Sequence, residues 1–142
     1  MPKSNAFSND MLKLVFNGVA IANLADNAAV SPLASLYLSF HNEDPGKDGD
    51  QTTNEISYPE YTRIPVIRDG TGWVVTVNSV SPANTVAFPE GTGGWGTAKY
   101  AAVGTAASGP GKIIYYGALS PNIIYGNGIT PRITTDTVIT ED

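Results

Sequence analysis

Cysteine is absent from the 142-residue chain, histidine occurs once, and only 15% of the residues are charged. The chain therefore has no disulfide framework, no thiolate metal site and no paired-histidine site. Its eight lysines and arginines are scattered and the net charge is −5, which argues against a nucleic-acid partner. No apolar run approaches the ~20 residues of a membrane span, and the first residues lack the order of a signal peptide. We expect a protein that is used without export and binds neither nucleic acid nor a membrane.

Apolar residues make up 42% of the chain, which also contains 15 glycines and 10 prolines. Leu36, Leu38 and Phe40 alternate with more polar residues, as in a strand with two distinct faces. At least about eight short strands, spaced by roughly 8–12 residues, predict an all-β fold. We expect one β-sandwich, of jelly-roll or immunoglobulin-like type. Residues 113–119 are the expected central strand and residues 123–125 a separate one.

Residues 1–30 differ in pattern from the rest and are predicted to form a helix and an arm. Ser8 is the expected N-cap of a short helix over residues 9–17, and Gly18 can supply the left-handed residue at its end. The Ala- and Asn-rich stretch that follows is either an extended arm or a further helical turn. Residues 31–142 then form the sandwich domain. The arm is expected to dock on a partner through apolar residues at helical spacing, namely Met11, Leu14, Val15 and Val19.

Residues 44–55 have the length and part of the pattern of a calcium-binding loop, in which oxygen ligands alternate around a glycine. The third position is Gly46, which carries no ligand, and strands rather than helices flank the loop. We therefore favour a solvated acidic turn, with no metal and no cofactor. The candidate ligands in the calcium interpretation are Asp44, Asp48, Asp50 and Glu55.

His41 could act as a base beside Glu43, but no nucleophile motif or second histidine accompanies it, so we expect no enzymatic activity. The aromatic residues either pack the core or form a sugar- or protein-binding surface, and core packing is favoured for each one. Neighbouring Tyr115 and Tyr116 must point to opposite faces if they share a strand. The aromatic set includes Trp73, Trp95, Tyr100, Tyr115, Tyr116 and Tyr125.

The order of several segments resembles that of small virion structural proteins of tailed bacteriophages, which are often labelled tail fibre or minor tail proteins. The resemblance covers about residues 8–142 and includes LYLSFHNEDPG (36–46), TNEISY (53–58), VAFP (86–89), GTAASG (104–109) and YYGAL (115–119). It implies a β-sandwich with a structural role in the virion, assembled in the host cytoplasm. It transfers no catalytic residue.

Within a virion, two placements compete. A capsid decoration (cement) protein binds the assembled shell and stabilises it by mass action, and a compact domain with an arm-like N-terminus favours this placement. The alternative is a tail fibre, minor tail or receptor-binding component. The partners would be the major capsid protein or other virion subunits, and exposed strand edges favour a homo-oligomer, commonly a dimer or trimer. A secreted carbohydrate-binding module is disfavoured by the lack of a signal-peptide pattern.

Overall fold

The computed structural model describes residues 1–17, 19–25 and 33–141. Within them, no helix is long and apolar enough to cross a membrane. Every pairing between the strands is antiparallel. The described elements are α1 (Asn5–Asn17), β1 (Ser35–His41), β2 (Ile64–Ile67), β3 (Trp73–Thr76), β4 (Ser79–Pro82), β5 (Val86–Ala87), β6 (Gly96–Gly104), β7 (Ile113–Tyr125), β8 (Arg132–Ile133) and β9 (Ile139–Thr140).

The strands form three sheets around one main core. The largest has the order β2-β1-β6-β7, and two smaller ones have the orders β3-β4-β9 and β5-β8. All three sheets contribute buried side chains to the core. At its centre the rings of Phe40 and Phe88 lie 4.3 Å apart, and burial of each ring contributes about 1.5–3 kcal/mol. The prediction of an all-β, sandwich-like fold is confirmed.

β7 runs along one edge of the large sheet, so the prediction that residues 113–119 form a central strand was wrong. This segment is apolar because both of its faces are covered, and Ile113 and Ile114 are almost fully buried. The residues before α1 close the edge. The Tyr116 N–H donates to the carbonyl of Pro2 (3.1 Å), and the Ser4 N–H donates to the carbonyl of Ile114 (3.3 Å).

β7 continues to residue 125, although two separate strands were predicted in this region. The register against β6 shifts where Ala98 pairs with Ile123 and Tyr100 pairs with Ala118. Residues 119–122 of β7 therefore lie opposite Lys99 alone, as a wide bulge. The bulge accommodates the proline of this segment, Pro121, within one strand.

α1 begins at Asn5, four residues before the predicted start, because Ser4 rather than Ser8 is the N-cap. The Ser4 hydroxyl accepts the Phe7 N–H at 3.1 Å and donates to the carbonyl of Ile113. Ser8 already lies within the first turn, since its N–H donates to the carbonyl of Ser4. At the other end, the Val19 N–H donates to the carbonyl of Lys13 (3.1 Å).

α1 packs on the sandwich through its inner face. Phe7 and Ile21 are buried against Ile114 of β7, and the ring of Phe7 meets that of Tyr115 edge-on at 5.7 Å. Within residues 19–25 of the predicted arm, a bridge between Ile21 and Ala25 closes a turn, whereas the predicted cap at Gly18 and residues 26–30 lie outside the described residues. The same is true of the boundary between residues 30 and 31, so the division into an arm and a sandwich domain stays a prediction.

Candidate interaction surfaces

The acidic loop that follows β1 folds back on the large sheet, with Gln51 as its anchor. The Gln51 side chain is fully buried. Its Oε1 accepts the Ala106 N–H at 2.9 Å, and its backbone N–H donates to the carbonyl of Gly111 at 2.9 Å. These bonds tie the loop to the turn between β6 and β7. The loop is thus fastened to the sheet at Gln51, while Asp44 and Asp48 remain exposed to solvent, as expected for an acidic turn.

Each of the four carboxylates considered as calcium ligands forms a hydrogen bond or ion pair with a different group of the protein. Asp44 accepts the Gly46 N–H at 2.8 Å, and Asp48 accepts a hydrogen bond from the Asn5 amide at 2.8 Å. Asp50 accepts the hydroxyl and N–H of Thr52, which hold the pKa of Asp50 below its usual value. Among the described residues, no group of three or more acidic or histidine side chains is placed to hold a metal ion.

Glu55, the fourth of these carboxylates, forms a buried ion pair with Arg63. Its two oxygens accept hydrogen bonds from Arg63 Nε and Nη2, both at 2.8 Å, and the Tyr61 hydroxyl donates to it at 2.7 Å. Arg63 also donates to the carbonyls of Ala106 (3.0 Å) and Gly109 (2.8 Å). Hydrogen bonding to Glu55 raises the pKa of Arg63, and burial raises that of Tyr61. This cluster fastens two loops together and has no open side for a substrate.

His41, the candidate base, is fully enclosed. Its Nδ1 lies 2.8 Å from the carbonyl of Thr53 and its Nε2 lies 2.9 Å from the Ser39 hydroxyl. Because a carbonyl only accepts, Nδ1 carries the proton and Nε2 accepts the hydroxyl hydrogen. Burial lowers the pKa of His41, which favours the neutral ring. Both ring nitrogens are occupied within the fold.

Most of the aromatic set packs inside the protein, as predicted. Tyr125 stacks on Tyr58 with 5.4 Å between ring centroids. Tyr115 packs on the main core, whereas Tyr116 joins a separate cluster with Ala102 and Ile113, in agreement with their predicted opposite directions. Trp95 differs from the others, since 67% of its surface is exposed.

Trp95 stands on the outward face of β6 and β7 at one end of the large sheet. Gly96 pairs with Tyr125, which points into the core, and Thr97 pairs with Ile124. Because side chains alternate along a strand, Trp95, Thr97 and Ile124 point away from the core. Ile124 is 57% exposed. We call the outward side chains of Trp95, Thr97, Lys99 and Ile124 the Trp95 surface.

The indole of Trp95 rests on the backbone of Gly126. A Cβ built on Gly126 would lie 2.3 Å from Cε3, 2.4 Å from Cδ2 and 2.7 Å from Cζ3 of the indole. The six-membered ring therefore fills the space in which any other residue would place its side chain. One face of the ring is supported by the main chain, and much of the side chain remains exposed.

A second apolar surface consists of two exposed residues of α1 and Val19, which lies two residues after the end of the helix. Leu12, Phe16 and Val19 are 58%, 78% and 49% exposed, and we call them the outer helix face. Of the predicted partner-binding residues, Met11 and Leu14 pack against the inner cluster instead. Val19 belongs to the outer helix face, and the side chain of Val15 lies outside the described residues. The i, i+4 spacing of the two missed residues, Leu12 and Phe16, was the signal that could have indicated them.

A groove of about 750 Å³ lies between the β3-β4 hairpin and β7. Its lining is mostly apolar and includes Trp73, Val75 and Ile139. Two polar groups at the groove are paired with each other, because the Tyr115 hydroxyl donates to Glu141. Ligand sites usually place a few polar groups to orient the ligand. The lining of this groove also includes Arg68 and Asn78, and Trp73 Nε1 is buried without a hydrogen-bond partner.

Comparison with known proteins identifies one family. A family model described as podophage GP4 fiber I protein gp80 matches residues 2–141. The match includes every helix and strand of the fold, from α1 to β9. No curated protein matches the sequence.

Proposed function

Because the chain belongs to the podophage GP4 fiber I protein gp80 family, we propose that it is a non-enzymatic component of a fibre on the phage particle. The predicted resemblance to virion proteins of tailed phages is confirmed by this membership, and the chain is a bacteriophage structural protein. The observation that carries the proposal is the extent of the match, which includes residues 2–141. The whole domain, and not a short shared motif, is what the family has in common.

The fibre placement is preferred here over capsid decoration. The family description names a fibre protein, and this supports the second of the two placements drawn from the sequence. Decoration was favoured because a compact domain with an N-terminal helix and an arm suits that placement. The predicted helix is present over residues 5–17, but it packs on β7 through Phe7 and Ile114 and is not free. This packing weakens the argument for decoration.

A non-enzymatic role agrees with the state of the groups that could act chemically. Both nitrogens of His41 are bonded within the fold, and Glu55 is paired with Arg63. A catalytic acid or base needs to reach the proton that it transfers. Neither side chain has such access.

We assign contact with a neighbouring virion subunit to the outer helix face. Large exposed apolar side chains on one side of a helix are typical of helix docking, in which they insert into a groove on the partner. Leu12, Phe16 and Val19 have this arrangement. This assignment replaces the inward-facing Met11 and Leu14 of the predicted set and retains Val19.

Copy number in purified virions tests the placement. The chain is quantified by mass spectrometry against the major capsid protein of the same particles. A fibre component is expected in far fewer copies than capsid subunits, and antibody labelling in electron micrographs is expected at the tail. A number close to that of the capsid subunits, with label over the head, would establish decoration instead.

A double substitution, Leu12→Ser with Phe16→Ser, tests the contact. Because both side chains are exposed, the thermal midpoint of the free protein is expected to stay close to that of the parent. Incorporation into particles is expected to fall sharply. The matched control is Leu14→Ser on the inner face, which is expected to destabilise the free protein. Normal incorporation of the double variant would refute the assignment.

A further inference from the structure

We propose that the Trp95 surface is a saccharide-binding site, in which the exposed face of the indole stacks on a sugar ring. The site uses residues other than the outer helix face. It adds a binding activity to the structural role, and it stands or falls independently of where the protein sits in the particle.

The first observation is that the Trp95 indole is both exposed to solvent and supported from behind by the main chain. Because 67% of the large aromatic side chain is exposed to water, a ligand that covers it gains free energy from apolar burial. The indole is supported from behind by Gly126, where a Cβ would approach it to 2.3 Å. A ring held flat in this way has little freedom left to lose when a ligand binds, which lowers the entropic cost of association.

The second observation is the polar character of the surface beyond the ring. Thr97 and Lys99 follow Trp95 at alternate positions of the strand, and Lys99 Nζ bonds Glu43 Oε1 at 2.8 Å. Asn122 is exposed in the bulged segment opposite Lys99. From Trp95 to Lys99 the strand extends about 13 Å. Hydroxyl, amide and charged groups thus lie beside a flat apolar ring.

This combination suits a sugar better than a protein partner. One face of a pyranose ring presents C–H groups that stack on an aromatic face, while its hydroxyl groups exchange hydrogen bonds at the ring edge. The centre of a protein–protein interface is instead depleted in charged residues. Here the apolar part is limited to Trp95 and Ile124, and the partly exposed Lys99, four residues after Trp95, is paired with Glu43.

Fluorescence gives a direct test on the full-length protein. The chain has two tryptophans, so the variant Trp73→Phe leaves Trp95 as the only indole reporter. It is titrated with four neutral probes: maltotriose, cellotriose, mannotriose and chitotriose. At least one probe is expected to shift the emission of Trp95 saturably in the millimolar range. If none of the four does so, the proposal is overturned.

Two substitutions then locate the site, and saturation-transfer NMR measures binding of the active probe to each variant. Trp95→Ala is expected to weaken binding about tenfold or more through the loss of stacking. Gly126→Ala keeps the indole but displaces it from its support, so it is also expected to weaken binding. Phe16→Ala removes an equally exposed aromatic residue elsewhere and is expected to leave binding unchanged.

The remaining outcomes are equally decisive. Circular dichroism melting first establishes that each variant is folded. Unchanged binding by folded Trp95→Ala would place the sugar elsewhere and overturn the proposal. So would a Trp95→Ala protein that fails to enter particles, because the surface would then be a protein contact. Normal incorporation of Trp95→Ala together with lost saccharide binding supports the site whether the copy number indicates a fibre or a head protein.

Discussion

Arg63 shows at the scale of single residues how the acidic loop is held. Its side chain is 3% exposed and bonds one carboxylate and two carbonyl oxygens from separate loops. Substitution by methionine leaves Glu55 buried without its partner. Breaking a buried ion pair in this way costs about 3–5 kcal/mol. We expect Arg63→Met to lower the free energy of unfolding, measured by urea titration, by about that amount.

The control for this prediction is the double variant Arg63→Met with Glu55→Met. With both charges removed no ion is left unpaired, so the double variant is expected to be more stable than Arg63→Met alone. If the single variant loses less than about 1 kcal/mol, the pair has the small weight of a surface salt bridge and our account of the loop is wrong.

His41 makes the stability of the fold depend on pH. Burial lowers its pKa below the usual histidine value of about 6.5, so at mildly acidic pH the unfolded chain binds a proton that the folded chain excludes. The stabilisation is therefore complete above pH 6.5 and is lost as the pH falls toward the folded pKa, at no more than about 1.4 kcal/mol per pH unit.

Thermal and urea unfolding between about pH 7 and pH 5.5 measure this loss. His41→Gln removes the titration but keeps a polar side chain, and its stability is expected to fall less over the same range. Carboxylates that titrate at lower pH contribute equally to both proteins and cancel in the difference. Parallel pH profiles of the two proteins would show that His41 does not contribute.

Glu55 also shows what the sequence could not reveal about the site. Its place at the end of a twelve-residue acidic segment fitted a calcium ligand, but its partner Arg63 is eight residues further on. Spacing alone does not indicate which acid meets which base when the chain between them turns back. The exposure of Trp95 was hidden in the same way, because its neighbour Gly126 follows the partner strand β7 and is distant in sequence.

At the scale of elements, α1 depends on Ser4. The Ser4 side chain caps the helix at Phe7 and also bonds the carbonyl of Ile113, and it is 1% exposed. Ser4→Ala is expected to lower the free energy of unfolding by about 1–2 kcal/mol and to speed amide hydrogen exchange in α1. Ser8→Ala is the matched control and is expected to be neutral or slightly stabilising, because Ser8 lies within the first turn and alanine favours helix. A larger effect at Ser8 would mean that the helix begins where the sequence suggested.

The elements were predictable where a short local pattern decides them. Alternation located β1, and the apolar spacing of Met11 and Leu14 located α1. Helix boundaries and strand pairings were harder to predict from the sequence. Two serines could each cap the helix, and the contact with Ile113, which is distant in sequence, favours Ser4. β7 was predicted as two strands, whereas one strand continues through a bulge opposite Lys99, and the pairing that holds it together comes from β6.

At the scale of the whole molecule, residues 2–4 close an edge that would otherwise offer unpaired backbone groups. Lys3 forms a bridge with Tyr115, and the flanking backbone bonds involve Pro2 and Ser4. Deletion of residues 1–3 is expected to expose the edge of β7 and to increase self-association, measured by sedimentation velocity over a range of concentrations. Lys3→Ala keeps the main-chain bonds and serves as the control. No increase upon deletion would mean that the edge is protected by other means.

The all-β fold class could be predicted at this scale because it follows from the composition and the number of turns, and not from which strands pair. The resemblance to phage virion proteins rested on the order of whole segments, and the family match over residues 2–141 agrees with it. The location of an exposed apolar surface depends on register and on which helix face packs inward. Those choices are made by contacts distant in sequence, so Leu12, Phe16 and Trp95 could not be separated from core residues beforehand.

The buried position of the Gln51 side chain restricts which substitutions the neighbouring glycines can accept. A Cβ at Gly104 would lie 2.1 Å from Cδ of Gln51, and one at Gly111 would lie 1.9 Å from its Oε1. Gly104 cannot acquire a side chain while glutamine occupies this space, and Gly111 is blocked in addition by the Cβ of Ala106 at 2.5 Å. Positions 51 and 104 are therefore expected to covary among descendants of this chain, with a smaller residue at 51 arising before Gly104 is replaced.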